Sequence, residues 1–192
     1  MPDSGIADGA TFSSAFFDSY VREQVVTTCT SSTRPTNVEG RLIYETDTDR
    51  LLMGTGSGSN WITIAEPPQN WTPTWTQSAT ISHTVTAAKY KRMDGRCRGW
   101  ANLSATSAGT ASNTIICSLP KNADTSQLIL GSVHLFDASA STFYVGQMYY
   151  QTATTFSIIT HSLTTGGITV PTIASGDLLR LQFDYQMANR YD

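Results

Sequence analysis

Oxygen ligands are densest in this sequence at Glu45-Thr46-Asp47-Thr48-Asp49, where carboxylates and hydroxyls alternate. A calcium loop needs a sharp-turn glycine at its sixth position and a bidentate Glu at its twelfth. Counted from Asp47, those positions hold Leu52 and Gly58, so the run does not read as a metal loop. Asp at a turn accepts hydrogen bonds from nearby backbone, and this composition closes a hairpin without any ligand. Cys29, Cys97 and Cys117 are odd in number and widely spaced, with no CxxC pair or Cys/His cluster at zinc-ligand spacing. A Cys97–Cys117 bridge between neighbouring strands is conceivable. Buried free thiols fit better, because Cys often behaves as a small core residue.

Hydrolytic chemistry has equally little to draw on. Glycan cleavage uses two carboxylates held several ångströms apart. No Glu follows Glu66, and Asp94, Asp124, Asp137, Asp177, Asp184 and Asp192 are scattered, although scatter in sequence does not forbid convergence in space. His83, His134 and His161 are isolated from one another. His83 and His161 have hydroxyl neighbours, but adjacent strand residues point to opposite faces, which argues against a local nucleophile–base pair. No G-x-S-x-G elbow is present, and GTGSGSN lacks the Lys and following helix of a phosphate loop. The expectation is a protein that is not an enzyme and needs no metal or cofactor. Aromatic faces remain: Trp61, Trp71, Trp75 and Trp100, with Tyr144, Tyr149 and Tyr150, could stack on sugars or fill cores and interfaces. Trp100, Tyr144, Tyr149 and Tyr150 are the candidates for glycan contact or for an interface. Tyr149 and Tyr150 must face opposite sides of a strand, so at most one enters the domain's own core.

The elements that would position these groups follow from composition and periodicity. Charged residues make up 14% of the 192-residue chain, and the formal charge is −3. Hydroxyl-rich, charge-poor sequence suits strands, and nothing in the charge balance points to nucleic acid. No run of 18 apolar residues predicts a membrane span. MPDSGIADGATF has neither a basic nor an apolar leader segment, so no signal peptide is expected.

Residues 13–26 carry the one convincing helical pattern. Phe16, Phe17, Tyr20, Val21 and Val25 recur at three- and four-residue intervals, Ser13 or Ser14 can cap the start, and Asp18 sits near the positive end of the dipole. Two or three turns are marginal alone, so Phe16, Phe17, Tyr20 and Val21 form a candidate docking or oligomer surface. A β-hairpin module is expected over 40–64, with strands at Arg41–Glu45 and Leu51–Met53 and a third at Trp61–Ile64. Pro67-Pro68 reads as a linker. The expected organisation is an N-terminal docking region over 1–66 and a C-terminal β-sandwich over 67–192.

Within that second region Asp94-Gly95 predicts a tight hairpin. In Leu179–Met187, apolar Leu179, Leu181, Phe183, Tyr185 and Met187 alternate with Arg180, Gln182, Asp184 and Gln186, the pattern of a half-buried strand. From Gly99 to Gly176 the charged side chains are Lys121, Asp124 and Asp137 alone. Interface cores are depleted in charge, so large uncharged surfaces suggest contacts between subunits.

RPTNVEGRLIYETDTDRLLMGTGSGSNW resembles a small module of tailed-bacteriophage virion surface proteins, in which an Arg-Pro, a Glu-Gly, a Tyr-x-Thr-Asp-Thr hairpin and a terminal Trp follow in that order. FFDSYVREQVV looks like the short helix that opens many minor tail and fibre proteins. NWTPTWTQSATISHTVTAAKYKRMDGRCRGWANL is similar to the start of their C-terminal β-domains. The resemblance covers about half of the chain and implies a mainly β protein with a short N-terminal helix, a hairpin module and a jelly-roll-like antiparallel sandwich. It further implies a short homotrimeric fibre or decoration protein of the virion, assembled in the bacterial host cytoplasm and docked to other phage structural proteins. The alternative it implies is a receptor-binding tail fibre or baseplate component that holds a host surface glycan.

Overall fold

A computed structural model describes residues 26–162 and 167–191. The helix expected over 13–26, with Phe16, Phe17, Tyr20 and Val21, falls outside the described residues but for Val26 at its end. The chain forms two compact units, Met1–Trp61 and Ile62–Asp192. The Pro67-Pro68 segment lies within the second unit.

In the first unit, β1 (Thr27–Cys29) runs parallel to β2 (Leu42–Glu45), and β2 forms an antiparallel hairpin with β3 (Arg50–Gly54). Alternation turns Ile43 and Leu52 inward, where they meet Trp61 in a small core. The ETDTD run is the hairpin tip, as its composition predicts, but its carboxylates find partners beyond the local backbone. Asp47 accepts from the Ser31 backbone N–H at 2.9 Å and from the Ser31 hydroxyl at 2.6 Å. That hydroxyl holds its carboxyl below the usual range. Asp49, at φ 53°, accepts from the Tyr44 hydroxyl at 2.8 Å. Glu45 is fully buried, accepting from Arg34 Nε and, at 2.6 Å, from Thr48 Oγ1, with Arg50 Nη1 3.6 Å away. A buried carboxylate persists only with such compensation.

The strand β4 (Trp61–Ala65) spans the boundary between the units. The second unit continues with β5 (Gln69–Asn70), β6 (Trp75–Gln77), β7 (Ala79–Thr80), β8 (His83–Met93), β9 (Arg96–Ala105) and β10 (Ile115–Ser118). Then come β11 (Ile129–Asp137), β12 (Thr142–Thr152), β13 (Thr155–Ser162), β14 (Ile168–Thr169) and β15 (Leu178–Gln186). They join one curled antiparallel sheet in the order β5-β8-β9-β15-β11-β12-β13-β10-β6-β7, with β14 added on β13. The mainly-β expectation holds. The chain leaves β9 for β10 on the far side of the sheet, returns to β11, runs back to β10 through the β11–β12–β13 meander, and ends with β15 inserted between β9 and β11.

Curling lets strands distant in the order share one core: Trp75, Ile115 and Cys117 pack with Cys97, Ala101, Phe183 and Tyr185. Each large apolar side chain fully buried there contributes about 1.5–3 kcal/mol by leaving water. β8 and β9 meet through Asp94-Gly95, whose positive φ values of 51° and 72° give the twist that matches a two-residue hairpin. In β15 the predicted alternation is realised: Leu179, Leu181, Phe183 and Tyr185 point inward, and Met187 follows them. All three cysteines are free. Burial pushes the Cys97 thiol up to about 11 and raises that of Cys117 as well, so both behave as inert core groups.

Candidate functional site

Inward-facing side chains fix which residues the sheet turns outward. Ala88 and Tyr90 on β8, Gly99 and Ala101 on β9, and Leu181 and Phe183 on β15 face the core. Their neighbours must therefore lie on the outer face. Register then builds rows across three strands. Lys89 stands opposite Trp100, and Trp100 opposite Gln182; Lys91 stands opposite Arg98, and Arg98 opposite Asp184; Asn102 stands opposite Arg180. A groove of about 610 Å³ opens here, lined by Lys91, Arg98, Trp100, Gln182 and Asp184. Across β15 a second depression of about 400 Å³ shares Gln182 and Asp184 and is flanked by Gly131 and Ser132. Gly99 holds the strands close beneath the groove: a Cβ there would meet the Lys89 carbonyl oxygen and lie 2.6 Å from Phe183 Cζ.

Charge is concentrated on this half of the outer face. Arg96 Nε donates to Asp184 Oδ1 at 2.6 Å, and Arg98 Nε lies 2.8 Å from Oδ2 in an ion pair out of line for a hydrogen bond. Lys89, Lys91 and Arg180 have no carboxylate partner among the described residues. Five cations thus stand with one carboxylate, which pairs with Arg96 and Arg98 alone, on the face that carries a tryptophan 46% exposed, in a chain whose net charge is −3.

The other half of the same face, on β11, β12 and β13, has a different character. Ser132, His134 and Phe136 alternate outward on β11, Phe143, Val145, Gln147 and Tyr149 on β12, and Ser157, Ile159 and His161 on β13. None carries a formal charge. Phe136 and Phe143 pair with ring centroids 4.7 Å apart, and Phe143 is 53% exposed. His134, Val145 and His161 stand in one row, followed by Ile168 of β14, which is 73% exposed.

The four aromatic candidates are dispersed. Trp100 lies in the groove. Tyr149 faces outward on the uncharged half, its hydroxyl donating to Gln147 Oε1 at 3.0 Å. Tyr144 and Tyr150 pack against the core. Trp61 and Trp75 are buried in the cores of their own units, and Trp71 meets Phe183 edge-on at 5.9 Å. The cations around Trp100 were not anticipated; their common signal is the alternation of Lys89/Lys91, Arg96/Arg98 and Arg180, which puts each on the outward phase of its strand.

Groups with catalytic potential are engaged elsewhere or separated. His83 Nδ1 lies 2.8 Å from the Ile81 carbonyl oxygen and Nε2 3.0 Å from that of Pro73, so backbone brackets the ring on both sides. Asp177 is buried and accepts from the Ala138 and Ala174 backbone N–H groups at 2.9 and 2.8 Å, tying two loops together. Among the described residues no group of three His, Cys, Asp or Glu side chains is placed to hold a metal ion. Comparison with protein-family models, with curated proteins and with solved structures finds no match.

Proposed function

We propose that this chain is a non-enzymatic structural protein of the exterior of a tailed-phage particle. It acts as a short homotrimeric fibre or decoration protein, docked through its N-terminal region and self-associating through the outer face of β11–β12–β13. The uncharged face is the observation that carries the reading. A solvated sheet face ordinarily keeps charge for solubility, whereas an interface core excludes it. Here Phe143, Val145, Ile159 and Ile168 share a surface with hydroxyls, amides and imidazoles only. The phage assignment rests on the ordered resemblance of RPTNVEGRLIYETDTDRLLMGTGSGSNW and its neighbours. Light scattering behind a sizing column tests the association: the expected mass is three times the 20.8 kDa of the chain and holds on dilution. A species that stays at the mass of one chain at every concentration overturns it.

A second reading, a receptor-binding component that holds host glycan, is favoured by the exposed Trp100 over its groove. Saturable binding of the purified protein to host cells, competed by a free sugar, is its test.

A further inference from the structure

We infer that the groove around Trp100 is a binding site for an acidic oligosaccharide, a chain of sugar rings bearing carboxylate or sulfate groups. The inference deepens the glycan-binding reading and rests on it.

Three features fit together. Trp100 presents an exposed aromatic face in the middle of the outer row Lys89–Trp100–Gln182, where the apolar side of a pyranose can stack. Cations flank that face on the β8 side and along both directions of the strands. Lys89 is beside it, Lys91 and Arg98 lie one outward position along in one direction, and Arg180 lies diagonally in the other. Lys89, Lys91 and Arg180 are uncommitted to any carboxylate among the described residues, so an anion would gain their field without breaking an existing pair. Lastly, the groove's volume of about 610 Å³ falls in the size range of small-ligand sites.

The same groove disfavours the other polyanion, single-stranded nucleic acid. Such platforms stack successive bases on several aromatic side chains along a continuous positive track. Here Trp100 is alone: Tyr90 on β8 and Phe183 on β15 turn inward. Asp184 stands in the groove, where it would repel a phosphate backbone but can accept from sugar hydroxyls. Gln182, directly opposite Trp100, offers both donor and acceptor to the same hydroxyls. A polyhydroxylated ligand with spaced anions satisfies this mixture; an evenly charged polymer does not.

The test is calorimetric titration of the full chain with a galacturonic acid trisaccharide, a sulfated trisaccharide, a neutral galactose trisaccharide and a single-stranded DNA oligonucleotide, each at low and high salt. One or both acidic sugars are expected to bind saturably, at least about tenfold tighter than the neutral sugar, with affinity falling as salt screens the cations. Trp100→Ala should weaken binding about tenfold or more, and the pair Lys89→Ala with Lys91→Ala should weaken it and flatten the salt dependence. Asp184→Asn should strengthen it a few-fold. Because these positions are at the surface, unchanged denaturation midpoints and unchanged molar mass in the variants separate loss of binding from loss of fold or of association. Equal binding of the neutral sugar, still dependent on Trp100, overturns the acidic specificity and leaves the glycan reading standing. Tighter binding of DNA through the same residues overturns both, and so does an absence of saturable sugar binding.

Discussion

The two halves of the outer sheet face share one backbone, one register and one alternation, yet present opposite chemistry. On β8, β9 and β15 five cations share the outer face with Trp100, and two of them, Arg96 and Arg98, pair with the carboxylate of Asp184. On β11, β12 and β13 the outward positions hold no formal charge and leave Phe143 half exposed. The inward positions of both halves enter the same core, so folding constrains them alike. Outward positions are free of that constraint, and their composition records what each half meets. A cationic half with an aromatic centre keeps its water and attracts an anionic solute. An uncharged half can lose its water at little electrostatic cost, which is what a protein partner requires.

The comparison breaks most visibly if charge is placed on the uncharged half. Phe143→Asp puts a carboxylate beside Phe136 in the surface proposed to be buried between copies. Burying a charge without a partner costs about 3–5 kcal/mol, which is at least about two orders of magnitude in an association constant. The expected outcome is a monomer by light scattering with acidic-sugar binding retained. Since Phe143 is already 53% exposed in the chain alone, its removal should lower the stability of the monomer by no more than about 1 kcal/mol. A variant that keeps the parental mass would show that this half is solvated.

A second substitution strikes the seam where both halves meet. Gly131 on β11 pairs with Phe183 on β15. A Cβ at Gly131 would run into the carbonyl oxygen of Gln182 and lie 2.7 Å from Phe183 Cα, both backbone atoms that cannot swing aside. Gly131→Ala should therefore push β11 from β15 and cost about 3 kcal/mol, at the upper end of ordinary overpacking. The checks are a lowered denaturant midpoint and weaker binding at the groove, because Gln182 and Asp184 move with β15. A midpoint equal to the parent's would mean that these strands are not so closely paired.

How much of this was legible in the sequence depends on the distance over which each feature is built. The Asp94-Gly95 turn and the alternation of β15 are local, and both were readable from a few residues. The small charge count between Gly99 and Gly176 was readable too, but not which of its side chains share a face. The groove is non-local: Arg96 reaches Asp184 across 88 residues of sequence, and only the insertion of β15 beside β9 brings Gln182 opposite Trp100. Strand order of this kind has no signature in periodicity, because every inserted position demands the same alternation. Gln77 illustrates the same limit. Its buried amide donates to the carbonyls of Asn113 and Pro171 and accepts from the Ile173 backbone N–H, yet its sequence neighbours give it no distinction from a surface glutamine. At the ETDTD tip the turn was legible, while the Ser31 partner of Asp47 was not.

The finest distinction lies between the adjacent residues Tyr149 and Tyr150. Tyr150 packs on the core, and Tyr149 faces outward near the end of the uncharged half, where its hydroxyl donates to Gln147 Oε1 at 3.0 Å. Both groups of that bond reach solvent, so water can replace either when the other is lost. Tyr149→Phe should leave the denaturation midpoint of the isolated chain within the equivalent of about 0.5 kcal/mol. If Tyr149 lies inside the contact between copies, the freed Gln147 amide would instead be stranded on burial, and the association constant should fall a few-fold. If it lies at the rim, the constant should stay put. Equilibrium sedimentation of this single variant thus locates the edge of the interface, and a large loss of stability in the monomer would mean that β12 is turned the other way.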